Sequence, residues 1–362
     1  MSRIAILSPS LSTGDAVTND VLGMYDTLAE QDNVVRVFAE THNLTSYRVS
    51  SSSKLDRFLT APDDVLIYHH ARGWPPGLDI LQQLKCRKVI KYHNVTPARF
   101  FSGFSSSDQV LCETGREEVS AVVNAGCDLY LADSAFNMNE LIDLGAEPAK
   151  CFVVPPFHHA DRLAKTVADD SILNRFKDGK ANLLTVGRVV PNKGHLGLLE
   201  AFAAFYFNYN RNARLIIVGK GGEGLSPYAK LLYQAVQALG LGGAVVFTGE
   251  ATDAELTAYY ELADAFVTTS EHEGFCVPLI EAMAMQLPIS AYASTAIPET
   301  IEDAGILWQE RDPFLMAESI FTILNERELQ TALGLRGRRR YETHFAPERI
   351  AYRFKAAMSN LQ

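Results

Sequence analysis

The chain has 362 residues, of which 47% are hydrophobic and 21% are charged, and it carries a formal net charge of −10. This balance is typical of a globular protein and excludes the disordered and fibrous classes. A single core rarely grows to this length, so we expect two domains. The acidic charge argues against general nucleic-acid binding, and we predict no nucleic-acid partner.

The sequence also indicates the cellular location of the protein and the redox state of its cysteines. No run approaches the roughly 18 apolar residues of a membrane helix, and the first residues lack the layout of a signal peptide. We therefore expect a cytoplasmic protein. The cysteines are scattered, odd in number and without a C-x-x-C pair, which predicts reduced thiols and neither a disulfide framework nor a zinc site. They are Cys86, Cys112, Cys127, Cys151 and Cys276.

The first domain is predicted over residues 1–160. Short apolar strands alternate there with segments that can cross over as helices, which is typical of a parallel, doubly wound sheet. A polar stretch, residues 158–180, is expected to be the crossing to the next domain. The predicted strands are 3–8, 34–39, 65–70, 88–93 and 129–132, and residues 151–156 close the domain.

Ligands of such sheets bind at the carboxyl ends of the strands. Gly14 follows the first strand and lets the backbone approach a ligand, and Asp15 is a predicted N-cap of the next helix. His93 ends a strand, and His69 and His70 end its neighbour. A histidine in such a position is more often structural than functional, so both interpretations are open for these three residues.

Three phenylalanines follow His93. Phe100, Phe101 and Phe104 would share one face of a helix at spacings of three and four. Such a face is usually core. Because several cations lie nearby, the alternative is a substrate entrance that touches a membrane surface with anionic lipids. These cations are Lys85, Arg87, Lys88, Lys91 and Arg99.

The second domain, predicted over residues 161–344, opens with a strand that leads into Gly187, Arg188, Lys193 and Gly194. The guanidinium of an arginine forms a fork that fits diphosphate oxygens, while a lysine acts as a point charge. Together they could stabilise a departing nucleoside diphosphate. A solvated basic loop is the alternative.

A glycine-rich turn spans Gly219 to Gly224 and has the literal spacing G-x-G-x-x-G after a strand. This spacing is the usual indication of a dinucleotide site. We do not favour that interpretation, because no acidic residue follows at the required place. Close approach of the Gly219 backbone to a nucleotide is the more consistent role.

The most informative stretch runs over residues 270–284, after a predicted strand at 265–269. Pro278 suits the first position of a helix. The free amides of Phe275, Cys276 and Val277 would then point out of the helix start, where open donors and the helix dipole favour an anion or sugar hydroxyls. Glu273 and Glu281 bracket this start, and their carboxylates are suited to accept hydrogen bonds from hydroxyl groups.

The two glutamates are separated by seven residues, with Gly274 and Phe275 directly after the first and Pro278 further on. This pattern resembles the signature of retaining nucleotide-sugar glycosyltransferases of family four. The resemblance implies the GT-B fold, which has two Rossmann-like, doubly wound parallel-sheet domains facing each other across a cleft. It also implies that a C-terminal helix, residues 345–362, returns to pack on the first domain.

The same resemblance implies roles for the site residues. Glu273 and Gly274 would contact the donor sugar, the amides of residues 275–277 would hold sugar and phosphate, and Glu281 would bind the ribose hydroxyls. Cys276 occupies a position where many members have glycine. The remaining implied roles place Gly14 near the donor diphosphate, His93 at the reaction centre, Gly219 against the nucleotide, and Arg188 and Lys193 on the leaving group.

The implied activity is hexosyl transfer from a UDP-glucose or GDP-mannose type of donor to a glycan or lipid-linked sugar acceptor, in cell-envelope or exopolysaccharide synthesis. No cofactor and no metal are expected, because the two cations can neutralise the leaving group and the chain lacks Asp-x-Asp. Peripheral contact with the inner face of the membrane is an alternative to a purely cytoplasmic location. A GT-B sugar-nucleotide epimerase and an NAD-dependent oxidoreductase are the alternative functions.

Overall fold

The computed structural model describes residues 3–30, 33–221 and 226–361. The chain separates into two compact units. Unit 1 comprises Met1–Arg99, Ser107–His158 and Pro347–Gln362, and unit 2 comprises Phe100–Ser106 and His159–Ala346. No helix within the described ranges is both long and apolar enough to cross a bilayer.

Regular elements alternate along the first part of the chain. The strands predicted from residue 3 to residue 132 are all present, and the structure adds short strands at Val49–Ser51 and Cys151–Val153. The elements are β1 (Arg3–Leu11), α1 (Ala16–Ala29), β2 (Val34–His42), β3 (Val49–Ser51), β4 (Val65–His70), α2 (Pro75–Gln83), β5 (Arg87–Tyr92), α3 (Ser106–Val123), β6 (Leu129–Ala132), α4 (Ala135–Asp143) and β7 (Cys151–Val153).

The same alternation continues after residue 158. The polar stretch that we expected to be a crossing contains two short helices, Ala160–Leu163 and Asp170–Phe176, which belong to unit 2. The elements are α5 (Ala160–Leu163), α6 (Asp170–Phe176), β8 (Ala181–Val186), α7 (His195–Asn208), β9 (Ala213–Val218), α8 (Ser226–Ala238), β10 (Val245–Gly249), α9 (Asp253–Leu262), β11 (Ala265–Thr268), α10 (Val277–Ala284), β12 (Ile289–Tyr292), α11 (Ile297–Ile301), β13 (Gly305–Trp308), α12 (Pro313–Asn325), α13 (Arg327–Arg340) and α14 (Pro347–Met358).

Unit 1 is built on a seven-stranded sheet with the order β3-β2-β1-β4-β5-β6-β7, and all of its strand pairs are parallel. Along β1, Ala5 and Leu7 belong to one apolar cluster while Ile4 and Ile6 belong to another. Successive side chains of a strand point to opposite faces, so both faces of the sheet are covered. The order reverses between β1 and β4, which is where such sheets bind ligands.

Unit 2 repeats this design with a six-stranded parallel sheet in the order β10-β9-β8-β11-β12-β13. Every residue of β9 is buried, as expected for a strand covered on both faces. The reversal of strand order lies between β8 and β11. The loops that follow these two strands carry the residues that the sequence singled out.

The segment Phe100–Ser106 differs from the expected helix. A 3₁₀ turn over Ala98–Phe101 is followed by Gly103 with a φ of 80°, which is a left-handed conformation that an α-helix does not use. The prediction of a shared helical face was therefore wrong. Phe101 is buried, Phe104 meets Tyr228 edge-on at 5.3 Å between ring centroids, and the segment belongs to unit 2.

Candidate functional site

Two loops of unit 2 are joined into one surface at the carboxyl ends of β8 and β11. The Asn192 side-chain amide donates to the His272 carbonyl at 3.1 Å, and the Glu271 amide donates to the Asn192 carbonyl at 2.8 Å. The Thr269 hydroxyl donates to the Gly194 carbonyl at 2.8 Å. These bonds fix the position of the loop after β8 relative to the loop after β11. Sequence reasoning missed Asn192, although it directly precedes the predicted Lys193.

Lys193 and Glu273 meet on this surface. The ammonium of Lys193 lies 2.6 Å from Oε1 of Glu273, and their side chains are 19% and 8% exposed. Burial alone would lower the pKa of Lys193, but the neighbouring Glu273 carboxylate raises it above its ordinary value. Lys193 is therefore a fixed positive charge near neutral pH. Thr295, which the sequence analysis did not single out, also bonds Glu273, accepting from its amide and donating to its carbonyl, both at 2.8 Å.

Arg188 lies in the same loop as Lys193 but is more exposed. Its side chain is exposed, and its guanidinium makes no ion pair within the described ranges. Its positive charge opposes the protonation of Lys193, which indicates that the two cations lie near each other. An exposed guanidinium beside a half-buried ammonium presents an anion with two positive groups.

Glycines permit the close packing of these loops. A Cβ at Gly194 would lie 2.2 Å from the Thr269 carbonyl oxygen, and one at Gly219 would lie 1.8 Å from the Gly187 carbonyl oxygen. The backbone of Gly219 thus closely approaches the backbone of Gly187, at the start of the loop after β8. Gly224 lies outside the described residues. Gly14, in unit 1, has a φ of 80° and open space around its Cβ position, and the predicted N-cap Asp15 accepts from the Thr18 amide at 3.0 Å.

Helix α10 begins one residue earlier than expected. Cys276 is its N-cap with a φ of 78°, so Val277 takes the first position and Pro278 the second, which corrects the placement of Pro278. The side chains of Phe275 and Cys276 are buried, with exposures of 6% and 8%. Their amides and that of Val277 find no hydrogen-bond acceptor among the described residues. Open amides at a helix start favour an anionic ligand.

Glu281 lies one turn into α10 and is oriented by Tyr260, a residue that the sequence analysis missed. The Tyr260 hydroxyl donates to Oε2 of Glu281 at 2.7 Å. Burial raises the pKa of Glu281, and the hydrogen bond from Tyr260 lowers it in part. The other carboxylate oxygen, Oε1, has no hydrogen-bond partner within the described chain, so it can accept a bond from a ligand.

His93 belongs to a separate, buried cluster in unit 1. Its Nδ1 lies 2.9 Å from Oδ2 of Asp133, and its Nε2 lies 2.9 Å from Nδ1 of His69. Lys91 contacts Oδ1 of Asp133 at 2.5 Å and donates to the Val154 carbonyl at 2.5 Å. Both ring nitrogens of His93 are therefore engaged inside unit 1. His70 is held apart from this cluster, with Nε2 3.2 Å from the Gly115 carbonyl, and burial lowers its pKa to about 4.

Comparison with known proteins places these two sheets in a defined class. HepE of Anabaena, solved in complex with UDP and glucose, superimposes with a TM-score of 0.77 at 17% identity and full coverage of both chains. WaaG, described as a glycosyltransferase involved in lipopolysaccharide biosynthesis, gives a TM-score of 0.74 at 16% identity over 99% of both chains. The chain therefore has the GT-B fold, as the resemblance implied.

Residues 169–340 match the family model of glycosyl transferases group 1. The chain is 31% identical over 252 residues to a D-inositol 3-phosphate glycosyltransferase of Geodermatophilus obscurus, covering 65% of this chain and 53% of that protein. It is 28% identical over 214 residues to the O-antigen chain mannosyltransferase B of Escherichia coli, covering 57% and 55%. The chain spans about half the length of the curated relatives it matches. These matches favour neither the epimerase nor the oxidoreductase alternative.

Proposed function

We propose that the chain is a retaining glycosyltransferase that moves a hexose from a nucleoside-diphosphate sugar to a glycan or lipid-linked sugar acceptor. The observation that carries the proposal is the Lys193–Glu273 pair, 2.6 Å apart, where the strand order of unit 2 reverses. It puts a fixed cation beside an acceptor of hydroxyl hydrogen bonds. A diphosphate needs the first group and a sugar needs the second.

In this proposal the donor extends across the start of α10. The open amides of residues 275–277 bind the phosphates and the sugar together with Gly274. Glu281, oriented by Tyr260, accepts hydrogen bonds from the ribose hydroxyls through its remaining oxygen. Glu273, which accepts from Lys193 in the free chain, accepts hydrogen bonds from the sugar hydroxyls as well. Gly14 is assigned to the diphosphate, with open space at its Cβ position.

The reaction breaks the bond between the anomeric carbon and the diphosphate oxygen, and the acceptor oxygen bonds to the same face of that carbon. The acceptor proton passes to the departing phosphate. Negative charge grows on the diphosphate as the bond breaks, and we assign its stabilisation to Arg188 and Lys193. We propose that this step needs neither a cofactor nor a metal at the donor site, so added magnesium or manganese should not raise turnover.

Replacing either cation by alanine tests this mechanism. Only interactions that strengthen in the transition state accelerate the reaction, so Arg188→Ala and Lys193→Ala should lower kcat by roughly 10²–10³, more than they raise the donor KM. Arg188→Lys should recover only part of the rate because it lacks the fork. Lys165→Ala removes an exposed lysine and serves as the control. Raised KM with unchanged kcat would move the leaving-group role elsewhere.

The activity itself is tested by a thermal-shift panel of UDP and GDP sugars, with NAD included. A ligand at 100 times its Kd adds about 2.7 kcal/mol of stability, enough to detect. We expect one nucleotide series to stabilise the chain, and product analysis to show no sugar isomer when the acceptor is omitted. Stabilisation by NAD alone, or isomerised donor without acceptor, would contradict a transferase.

The acceptor is proposed from the relatives, which include enzymes named for inositol phosphate, O-antigen and lipopolysaccharide glycosylation. A lipid-linked acceptor would bring the chain to the inner face of the membrane. Phe100 and Phe104 are half-buried, with Phe104 against Tyr228, so only part of each ring is open to such a surface. Co-sedimentation with anionic vesicles would test the contact, and no binding at low salt would remove it.

A further inference from the structure

Three potential metal ligands converge in unit 1 from separate elements. Oδ2 of Asp20, on α1, lies 3.8 Å from Nδ1 of His69 on β4 and 3.6 Å from Nε2 of His93 after β5. The two histidine nitrogens are 2.9 Å apart. A tetrahedral zinc ion with bonds of about 2.0 Å holds its ligands roughly 3.3 Å from one another. Each observed separation is within about 0.5 Å of that value.

The surroundings of these ligands also have the form of a metal site. The second nitrogen of His93 bonds the Asp133 carboxylate at 2.9 Å, and zinc-binding histidines commonly bond a carboxylate in this way. Oδ1 of Asp20 accepts from the Phe157 amide at 2.8 Å, which fixes the orientation of its carboxylate. Oδ2, directed into the cluster, is fully buried and has no hydrogen-bond partner among the residues that the structure describes.

The charges of the cluster sum to a net negative charge, which favours binding of a cation. With neutral imidazoles, Asp20 and Asp133 carry two negative charges and Lys91 carries one positive charge. Lys91 is committed to Asp133, at 2.5 Å, and lies 3.7 Å from Oδ2 of Asp20. The two buried carboxylates therefore share one ammonium, and the remaining negative charge is costly unless another positive group compensates it.

We propose that Asp20, His69 and His93 bind a zinc ion in unit 1. These three protein ligands leave a fourth position for a water molecule, as in other three-ligand zinc sites. The ion ties α1, β4 and the end of β5 together at the carboxyl edge of the sheet. The bound ion occupies the His93 ring nitrogen that a reaction-centre role would need, and we assign the ion no step in the proposed transfer.

Tag-free protein, purified without chelators, should contain one zinc per chain by elemental analysis. After dialysis against a chelator, titrated Co²⁺ should give the visible absorption of a tetrahedral site, and Zn²⁺ should displace it. Asp20→Asn and His69→Gln should abolish stoichiometric binding, and Asp133→Asn should weaken it roughly 10–100-fold because it loses the support of His93. His42→Gln, at an exposed histidine of β2, should bind like the parent chain.

Circular dichroism shows whether each variant folds. The zinc and cobalt measurements on the parent chain test the proposal even if a variant does not fold. The proposal is overturned by a folded parent chain that holds no stoichiometric zinc and gives no cobalt spectrum. It is also overturned if folded Asp20→Asn and His69→Gln bind like the parent chain. Proton NMR that shows an imidazolium proton shared between the two rings, with no metal bound, would assign the missing positive charge to a proton instead.

Discussion

Individual side chains of unit 2 are set by partners that lie far away in the sequence. Lys193 and Glu273 are 80 positions apart, and Tyr260 and Glu281 are 21 apart. Each pair couples a charged or polar donor to a carboxylate, which limits the rotamers of both groups. A ligand that reaches these carboxylates therefore meets acceptors whose orientation is already fixed, so less entropy is lost on binding.

Glu281→Ala should weaken binding of the free nucleoside diphosphate. Loss of a charged acceptor for hydroxyl groups costs on the order of 1.5–3 kcal/mol, which calorimetry measures directly. Tyr260→Phe should have a smaller effect, because the carboxylate remains but loses its orienting bond. Glu261→Ala, at the exposed neighbour of Tyr260, is the control. Unchanged affinity in Glu281→Ala would remove the ribose assignment.

A second prediction rests on His195 and concerns the stability of the folded chain at acid pH. Burial, followed by the positive charge of Lys193, lowers the pKa of His195 from 6.5 to about 4. The unfolded chain binds a proton at this residue as the pH falls below 6.5, and the folded chain does not until about 4. The free energy of unfolding therefore falls by roughly 3 kcal/mol as the pH drops from 6.5 to about 4. Above pH 6.5 none of this stability is lost.

His195→Gln should make the free energy of unfolding less sensitive to pH between 7 and 4. Denaturant titrations of the parent and the variant at several pH values give this difference directly. His42 is exposed, so His42→Gln should keep the pH dependence that the parent chain shows. Parallel curves for His195→Gln and the parent would show that His195 titrates normally in the folded chain.

The loops after β8, β9 and β11 act as one packed element because their backbones approach closely at glycines. Gly219 has a φ of 148°, and a Cβ there would lie 1.8 Å from the Gly187 carbonyl oxygen. Two backbone segments must separate to admit a methyl group at this point. The glycine that resembles part of a dinucleotide motif is thus explained by packing between the ends of β8 and β9.

Gly219→Ala should destabilise the chain and weaken donor binding through Lys193. Gly197→Ala is a matched control, because Gly197 lies in helix α7 with nothing within 4 Å of its Cβ position. That change should stabilise the helix by about 0.5–1 kcal/mol. Chemical denaturation compares the two. Equal stability of both variants would show that the loop after β9 relaxes without cost.

At the scale of the whole molecule, unit 1 is assembled from segments at both ends of the chain. Helix α14 packs on it through Phe354, which is fully buried and lies edge-on to Phe157 at 6.0 Å between centroids. The chain must therefore reach residue 358 before unit 1 can bury its apolar surface completely. Unit 1 and unit 2 need not unfold together, since each has its own core.

Phe354→Ala should destabilise unit 1 by about 3–5 kcal/mol through loss of buried surface and formation of a cavity. Tyr352, in the same helix, is 72% exposed. Tyr352→Ala should stay within about 0.5 kcal/mol of the parent. Calorimetry should show the Phe354 variant shifting one transition, and hydrogen exchange should locate it in unit 1. A uniform shift of both units would mean that they unfold as one.

The sequence by itself determined most of the strands, the repeated doubly wound pattern, the cap at Asp15, and the family resemblance of residues 270–284. These features are local. A buried strand needs a contiguous apolar run, a cap needs one side chain near its own helix start, and the motif lies on one strand, one loop and one helix. Short stretches of sequence specify them without knowledge of distant partners.

Only the tertiary structure decided the contacts made by those residues. The Phe100–Phe104 segment forms no shared helical face because Gly103 adopts a left-handed conformation, although the spacing suits a helix. The order of the strands brings Lys193 to Glu273 and Tyr260 to Glu281. It also brings Asp20, His69 and His93 within bonding distance of a single ion, although no spacing in the sequence links them. Burial and sheet order act over the whole chain, and local periodicity contains no record of them.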